Sequence, residues 1–136
     1  MQVSSQDYAY INIIPSGVLT NGYVAGTTIS STTTNFPCKV ELRNQLELYI
    51  QLTLGSLTSA QLKLEFSNDG VTYYQESFST ISNGTDSVSA GVHSFSASGN
   101  YRMAFPIKDV WIRVSVQGTG TVTNSLMAVG AIIGIA

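Results

Sequence analysis

The chain has 136 residues, a formal net charge of −2 and only 10% charged residues, where about 25% is usual. One domain is the default at this length. The six basic residues are scattered, which excludes the clustered footprint of a nucleic-acid binder. The lone cysteine, Cys38, excludes an intrachain disulfide and reads as a small buried hydrophobe.

In chain order, residues 8–14 (YAYINII) are aromatic and β-branched and run into Pro15-Ser16-Gly17, the pattern of a strand ended by a turn. Residues 1–14 together read as an extended N-terminal arm or edge strand. Asn21-Gly22 predicts a hairpin between Val18-Leu19 and Tyr23-Val24. Residues 26–35 (GTTISSTTTN) offer only Ile29 to a core and read as an edge strand, an arm or a solvated loop. Cys38, Val40 and Leu42 alternate with Lys39, Glu41 and Arg43 in a short amphipathic strand.

The strongest signal follows. Leu46, Leu48, Ile50, Leu52 and Leu54 alternate with Glu47, Tyr49, Gln51 and Thr53, a period of two that puts successive side chains on opposite faces of a strand. Leu62, Leu64 and Phe66 repeat it against Lys63 and Glu65. Asn68-Asp69-Gly70 is a turn, after which Val71, Tyr73 and Gln75 resume the alternation in a strand extending toward Phe78. Residues 82–86 (SNGTD) turn, and residues 88–95 form a strand weakened at Gly91, where a bulge is expected. Ser98-Gly99-Asn100 turns into a strand over 101–105 that Pro106 ends. Val110, Ile112, Val114 and Val116 alternate with Trp111, Arg113 and Ser115, Gly118-Thr119-Gly120 turns again, and residues 122–135 make the last strand, whole or split at Gly130.

No window carries the three-and-four spacing of an amphipathic helix, and turn signals recur about every 8–12 residues. The expectation is an all-β chain: one antiparallel β-sandwich domain over 1–136, jelly-roll or Greek-key like. The apolar end at 126–136 is far shorter than the ~18 residues that span a bilayer. The first residues lack the basic and apolar regions of a secretory signal.

The chemistry-bearing residues are few. His93 is the only histidine and has no Cys or carboxylate at ligand spacing, whereas a metal site needs three or four convergent donors. No serine sits in a GxSxG elbow, and neither a P-loop nor GxGxxG is present. Glu41, Glu47 and Glu65 occupy outward strand positions suited to cross-strand pairing, and Asp69 and Asp86 belong to turns. The expectation is therefore no catalytic residue, no cofactor and no metal. Tyr73, Tyr74, Tyr49 and Trp111 could instead form a sugar-stacking platform. Tyr49 and Trp111 both fall on the outward phase of their strands, which suits either such a platform or a face covered by a neighbouring chain.

Ser67-Asn68-Asp69-Gly70-Val71-Thr72-Tyr73 resembles the S-x-D-G-x-T-[WY] hairpin turn of small β-sandwich structural proteins in tailed bacteriophage virions. The few charges, the Ser/Thr/Gly-rich strands and the apolar C-terminal strand are similar to capsid decoration (cement), head-fibre and tail accessory proteins. That resemblance implies a non-enzymatic virion subunit, made in the host cytoplasm without a signal peptide. It would be a symmetric homo-oligomer, often a trimer, seated on the major capsid protein or another virion protein, with neither nucleic acid nor membrane as partner. The segments expected to make contacts are 4–14, 27–34 and 128–136, and the candidate interface residues are Tyr8, Tyr10, Ile13, Thr28, Thr32, Tyr49, Trp111, Ile132 and Ile133. The competing reading is a carbohydrate- or receptor-binding sandwich of a tail or head fibre.

Overall fold

The computed structural model describes residues 10–29, 45–106 and 111–134. In chain order its strands are β1 (Tyr10–Val18), β2 (Val24–Ala25), β3 (Gln45–Thr53), β4 (Leu57–Ser67), β5 (Tyr74–Gln75), β6 (Ser77–Ser82), β7 (Thr85–Ala90), β8 (Val92–Phe95), β9 (Gly99–Pro106), β10 (Trp111–Gly120) and β11 (Leu126–Gly134). The period-two pattern dictates the packing. The even residues of β3, Leu46, Leu48, Ile50 and Leu52, are at most 5% exposed, and they meet Leu62 and Leu64 of β4, Ile112 and Val114 of β10, and Val129, Ala131 and Ile133 of β11 in one core. Each such large side chain contributes about 1.5–3 kcal/mol on burial.

Every described strand pair is antiparallel, and the main ones form two sheets, β1-β11-β3-β9 and β2-β10-β4-β5, with β8 also on β4. β5 and β8 lie end to end along β4. Tyr74 and Gln75 pair with Phe66 and Glu65, the Glu76 N–H bonds the Leu64 carbonyl at 2.8 Å, and the ladder resumes with Val92 opposite Lys63 and His93 opposite Leu62. With β5 and β8 counted as one interrupted strand, the sheets hold strands 1-8-3-6 and 2-7-4-5, the arrangement of a jelly roll. At one side of the sandwich, Ile29 pairs with Ile112 on the second sheet while the Thr27 N–H reaches the Ile13 carbonyl on the first at 2.9 Å. The other side is spanned by aromatic contacts, His93 on Phe105 and Phe95 on Tyr101, with ring centroids 5.3 and 4.8 Å apart.

Several local expectations are corrected. β1 runs through Pro15 to Val18 with two register shifts against β11. As an edge strand it accommodates a residue without an N–H, and the bulges take up the misfit. Asn21-Gly22 does not close a hairpin, because β1 pairs with β11 and β2 with β10. The turn instead carries the chain between sheets, and Asn21 Nδ2 donates to the carbonyls of Gly118 and Gly120 at 3.2 and 2.9 Å. Val71 to Tyr73 leave the ladder, and Val71 is 83% exposed, because the Asp69 carboxylate accepts the N–H groups of Val71 and Thr72, both at 2.8 Å. Gly99 and Asn100 start β9, opposite Leu52 and Gln51. Gly118 stays within β10, where its missing Cβ makes room for Leu57. β11 is unbroken at Gly130, over which the Tyr10 ring lies. The strand expected over 38–43 lies outside the described residues.

Candidate functional site

On the outer face of the first sheet, the odd residues of β3 meet β9 and β11. Glu47 is the hub: Tyr49 donates its hydroxyl to Oε2 at 2.8 Å, and Arg102 Nη2 donates to Oε1. Tyr49 first, then Glu47, hold the Arg102 guanidinium above its usual pKa by favouring its charged form. Tyr10, 55% exposed, sits 6.0 Å from the Tyr49 ring at 56°. Tyr10, Tyr49, Gln51, Asn100, Tyr101 and Arg102 line an open groove of about 210 Å³.

The outer face of the second sheet is a cross-strand ladder. Glu65 of β4 is opposite Arg113 of β10 and takes its Nε and Nη2 at 3.2 and 3.0 Å, while the guanidinium lies 4.0 Å from the Tyr73 ring centre. Lys63 stacks 4.5 Å over Tyr23. Burial raises the Tyr23 hydroxyl pKa, partly offset by a hydrogen bond with Gln117. At the end of this face the Ser67–Thr72 turn is built from its own side chains. Ser67 Oγ donates to Asp69 Oδ1 at 2.9 Å and accepts the Gly70 N–H at 2.9 Å. The N–H groups of Thr72 and Val71, then Ser67, hold the Asp69 carboxyl below its ordinary pKa. Gly70 adopts φ +77°, and a Cβ there would stand 3.0 Å from the Trp111 indole. Trp111 is thus the lid of this turn.

The feature least like a sandwich is the β6–β7 hairpin. It leaves the interrupted strand after Glu76 and returns at Gly91, where the Gly91 N–H closes on the Glu76 carbonyl at 2.6 Å and His93 Nε2 lies 3.0 Å from Glu76 Oε1. Asn83 and Gly84, at φ 51° and 76°, make the left-handed two-residue turn that suits the strand twist. Residues 79–90 are all exposed. Ser79 pairs with Val88 and Ile81 with Asp86, so Ile81 and Val88 share one face. They are 76% and 72% exposed.

The sequence-predicted residues scatter over this frame. Ile13 and Ile133 are corrected: at 1% and 0% exposure they belong to the core, because Ile13 alternates with the outward Tyr10 and Asn12 and Ile133 follows the inward phase of β11 beside Leu46. Tyr10, Tyr49 and Ile132 share the outer face of the first sheet, with Ile132 opposite both Tyr10 and Glu47. Trp111 stands on the opposite outer face, so Tyr49 and Trp111 cannot form one platform. Thr28 is half-buried beside the bridge at Ile29. Tyr8 and Thr32 lie outside the described residues. The hairpin was the feature missed: its SNGTD turn was legible, but an insertion between two halves of one strand leaves no mark in a local pattern.

Among the described residues, no three His, Cys, Asp or Glu side chains gather as a metal site, and no helix is long and apolar enough to cross a membrane. No family model, no curated protein and no solved structure matches the chain.

Proposed function

We propose that this chain is a non-enzymatic structural subunit of a tailed-phage virion, in the first place a decoration or cement protein bound to the major capsid protein. The observation that carries the reading is the projecting β6–β7 hairpin. A two-stranded ribbon is marginal on its own in water. This one holds out two aliphatic side chains at 76% and 72% exposure. Such a device fits a protein whose work is attachment. Binding only to the assembled shell would stabilise it by mass action, with no chemistry needed.

The test is cosedimentation and cryo-electron microscopy of the purified chain with tailed-phage heads stripped of their accessory proteins. Saturable occupancy of lattice sites and a higher temperature of genome release are expected. Absence of binding at every concentration removes the proposal.

A second reading is favoured by the groove beside Tyr10, Tyr49 and Arg102, where phenol rings, a cation and the Gln51 and Asn100 amides converge. Those are the groups a sugar ring stacks on and bonds to. Glycan-array binding lost in Tyr49→Ala but kept in Trp111→Phe would support it, and a blank array would dismiss it.

A further inference from the structure

We infer that the tip of the β6–β7 hairpin is a site of spontaneous covalent modification. The side-chain amide of Asn83 is lost to attack by the backbone nitrogen of Gly84, while the other Asn-Gly pair, Asn21-Gly22, is protected by the fold.

Only Asn21 and Asn83 precede a glycine in this sequence. Glycine matters because, without a Cβ, its nitrogen is open to approach and its backbone turns freely. Both pairs are exposed, so exposure does not separate them. Hydrogen bonding does. Asn21 Nδ2 donates to the carbonyls of Gly118 and Gly120 at 3.2 and 2.9 Å. Those bonds tie the amide to β10 through the very nitrogen that would have to leave. Asn83 has no such anchor: among the described residues no partner holds its side chain.

The surroundings of Asn83 also suit the reaction. Ser82 pairs with Thr85, which leaves Asn83 and Gly84 outside the ladder as the turn itself. A Cβ built on Gly84 would meet nothing within 4 Å, so the approach is unobstructed. Residues 79–90 are all exposed. A ribbon with no core beneath it opens locally at little cost, and opening lets Asn83 leave its left-handed backbone, at φ 51°, for the geometry of attack.

The Gly84 nitrogen attacks Cγ of Asn83. A bond forms between them, the Cγ–Nδ2 bond breaks, and the proton from the Gly84 nitrogen leaves with Nδ2 as ammonia. Water then opens the cyclic imide. Cleavage of the new bond to Cγ yields aspartate. Cleavage of the original peptide bond yields isoaspartate, with the chain now running through the side-chain carbon. No oxidant or reductant takes part.

Either product adds one negative charge to a chain whose net charge is −2, at the tip of a ribbon that already carries Asp86. Isoaspartate also lengthens the backbone by a methylene, which a two-residue turn cannot absorb while Ser82 stays opposite Thr85. The surface presented by the hairpin thus changes with age and without an enzyme. This holds whether or not the hairpin serves for attachment.

The test is incubation of the full chain in mildly alkaline buffer, folded and in urea, with peptide mass spectrometry at both pairs and isoaspartyl-methyltransferase labelling to separate the two products. In the folded chain Asn83 should convert to aspartate and isoaspartate. Asn21 must first break two hydrogen bonds, which should slow it by about tenfold or more relative to Asn83. In urea, where those bonds are gone, the two rates should converge. Asn83→Gln should stop the reaction at this position, because the longer side chain closes a larger ring far more slowly. An Asn83 that keeps its amide in the folded chain while converting in urea overturns the inference. So does an Asn21 that converts as fast as Asn83 in the folded chain. Rates that stay apart in urea overturn it too, since sequence neighbours rather than the fold would then set the difference.

Discussion

Replacing Arg113 with Ala takes the nearer ionic partner from Glu65, the one nearly buried carboxylate among the described ion pairs. The Glu65 side chain is 10% exposed and that of Arg113 34%. The replacement removes two hydrogen bonds, at 3.2 and 3.0 Å, and the stack on Tyr73. It leaves Glu65 with Lys63, 3.8 Å away, as its remaining described ionic partner. Breaking a fully buried pair costs about 3–5 kcal/mol, and a surface pair contributes about 0–1 kcal/mol. With one partner a third exposed, solvent screening places the loss between these limits, at about 2 kcal/mol. For a chain of this size that lowers the melting temperature by about 8 °C. Urea denaturation of the wild type, Arg113→Ala, Glu65→Gln and the double variant gives the coupling by a double-mutant cycle, expected at about 1–2 kcal/mol. The paired replacement Glu65→Leu with Arg113→Leu should recover most of the loss, since it leaves no charge stranded. A single-variant loss under about 0.5 kcal/mol, or a coupling near zero, would mean that the pair behaves as exposed and that the burial argument fails.

Removing residues 77–91 and joining Glu76 to Val92 should leave the sandwich intact with a melting temperature within a few degrees of wild type. Loss of folding on calorimetry would refute the end-to-end placement of β5 and β8. Gly55→Ala should cost about 3 kcal/mol or more, because Gly55 sits at φ +60° and a Cβ there collides with the Thr123 carbonyl. Gly84→Ala, at φ +76° with open space around it, should strain only the hairpin and leave global denaturation nearly unchanged. Asp69 has a folded-state pKa below its unfolded value, so its contribution is present above the unfolded pKa and is lost as pH falls through the lowered one. Melting temperatures of wild type and Asp69→Asn should therefore differ at neutral pH and converge in acid; a gap that persists at the lowest pH contradicts this.

How far the sequence spoke depended on whether the deciding interaction was local. Leu46, Leu48, Ile50, Leu52, Leu62 and Leu64 announced their burial because one chemical fact, alternation, governs a strand with one dry face. The turn at Asn83-Gly84 was equally plain, since its left-handed backbone demands those residue types. Asn21-Gly22 carries the same residue pair yet turns between sheets. What separated the two cases was pairing with β10 and β11, nearly a hundred residues away or more. Pro15 reads locally as a strand end because nothing nearby in sequence shows that β1 lies at an edge. Outward phase correctly set Tyr49 and Trp111 on solvent-side faces. It could not tell that the faces are opposite, or that the Trp111 indole is spent on covering its own turn.

The interrupted strand has a wider consequence. Because Glu76 and Val92 meet adjacent residues of β4, the exposed residues 79–90 between them make no demand on the interior. Its length and composition can drift, or be exchanged for a foreign peptide, while the scaffold stays blind to the change. A position of that kind lets a lineage try new attachments quickly on an old frame, and it is the natural place on this molecule to graft a binding loop.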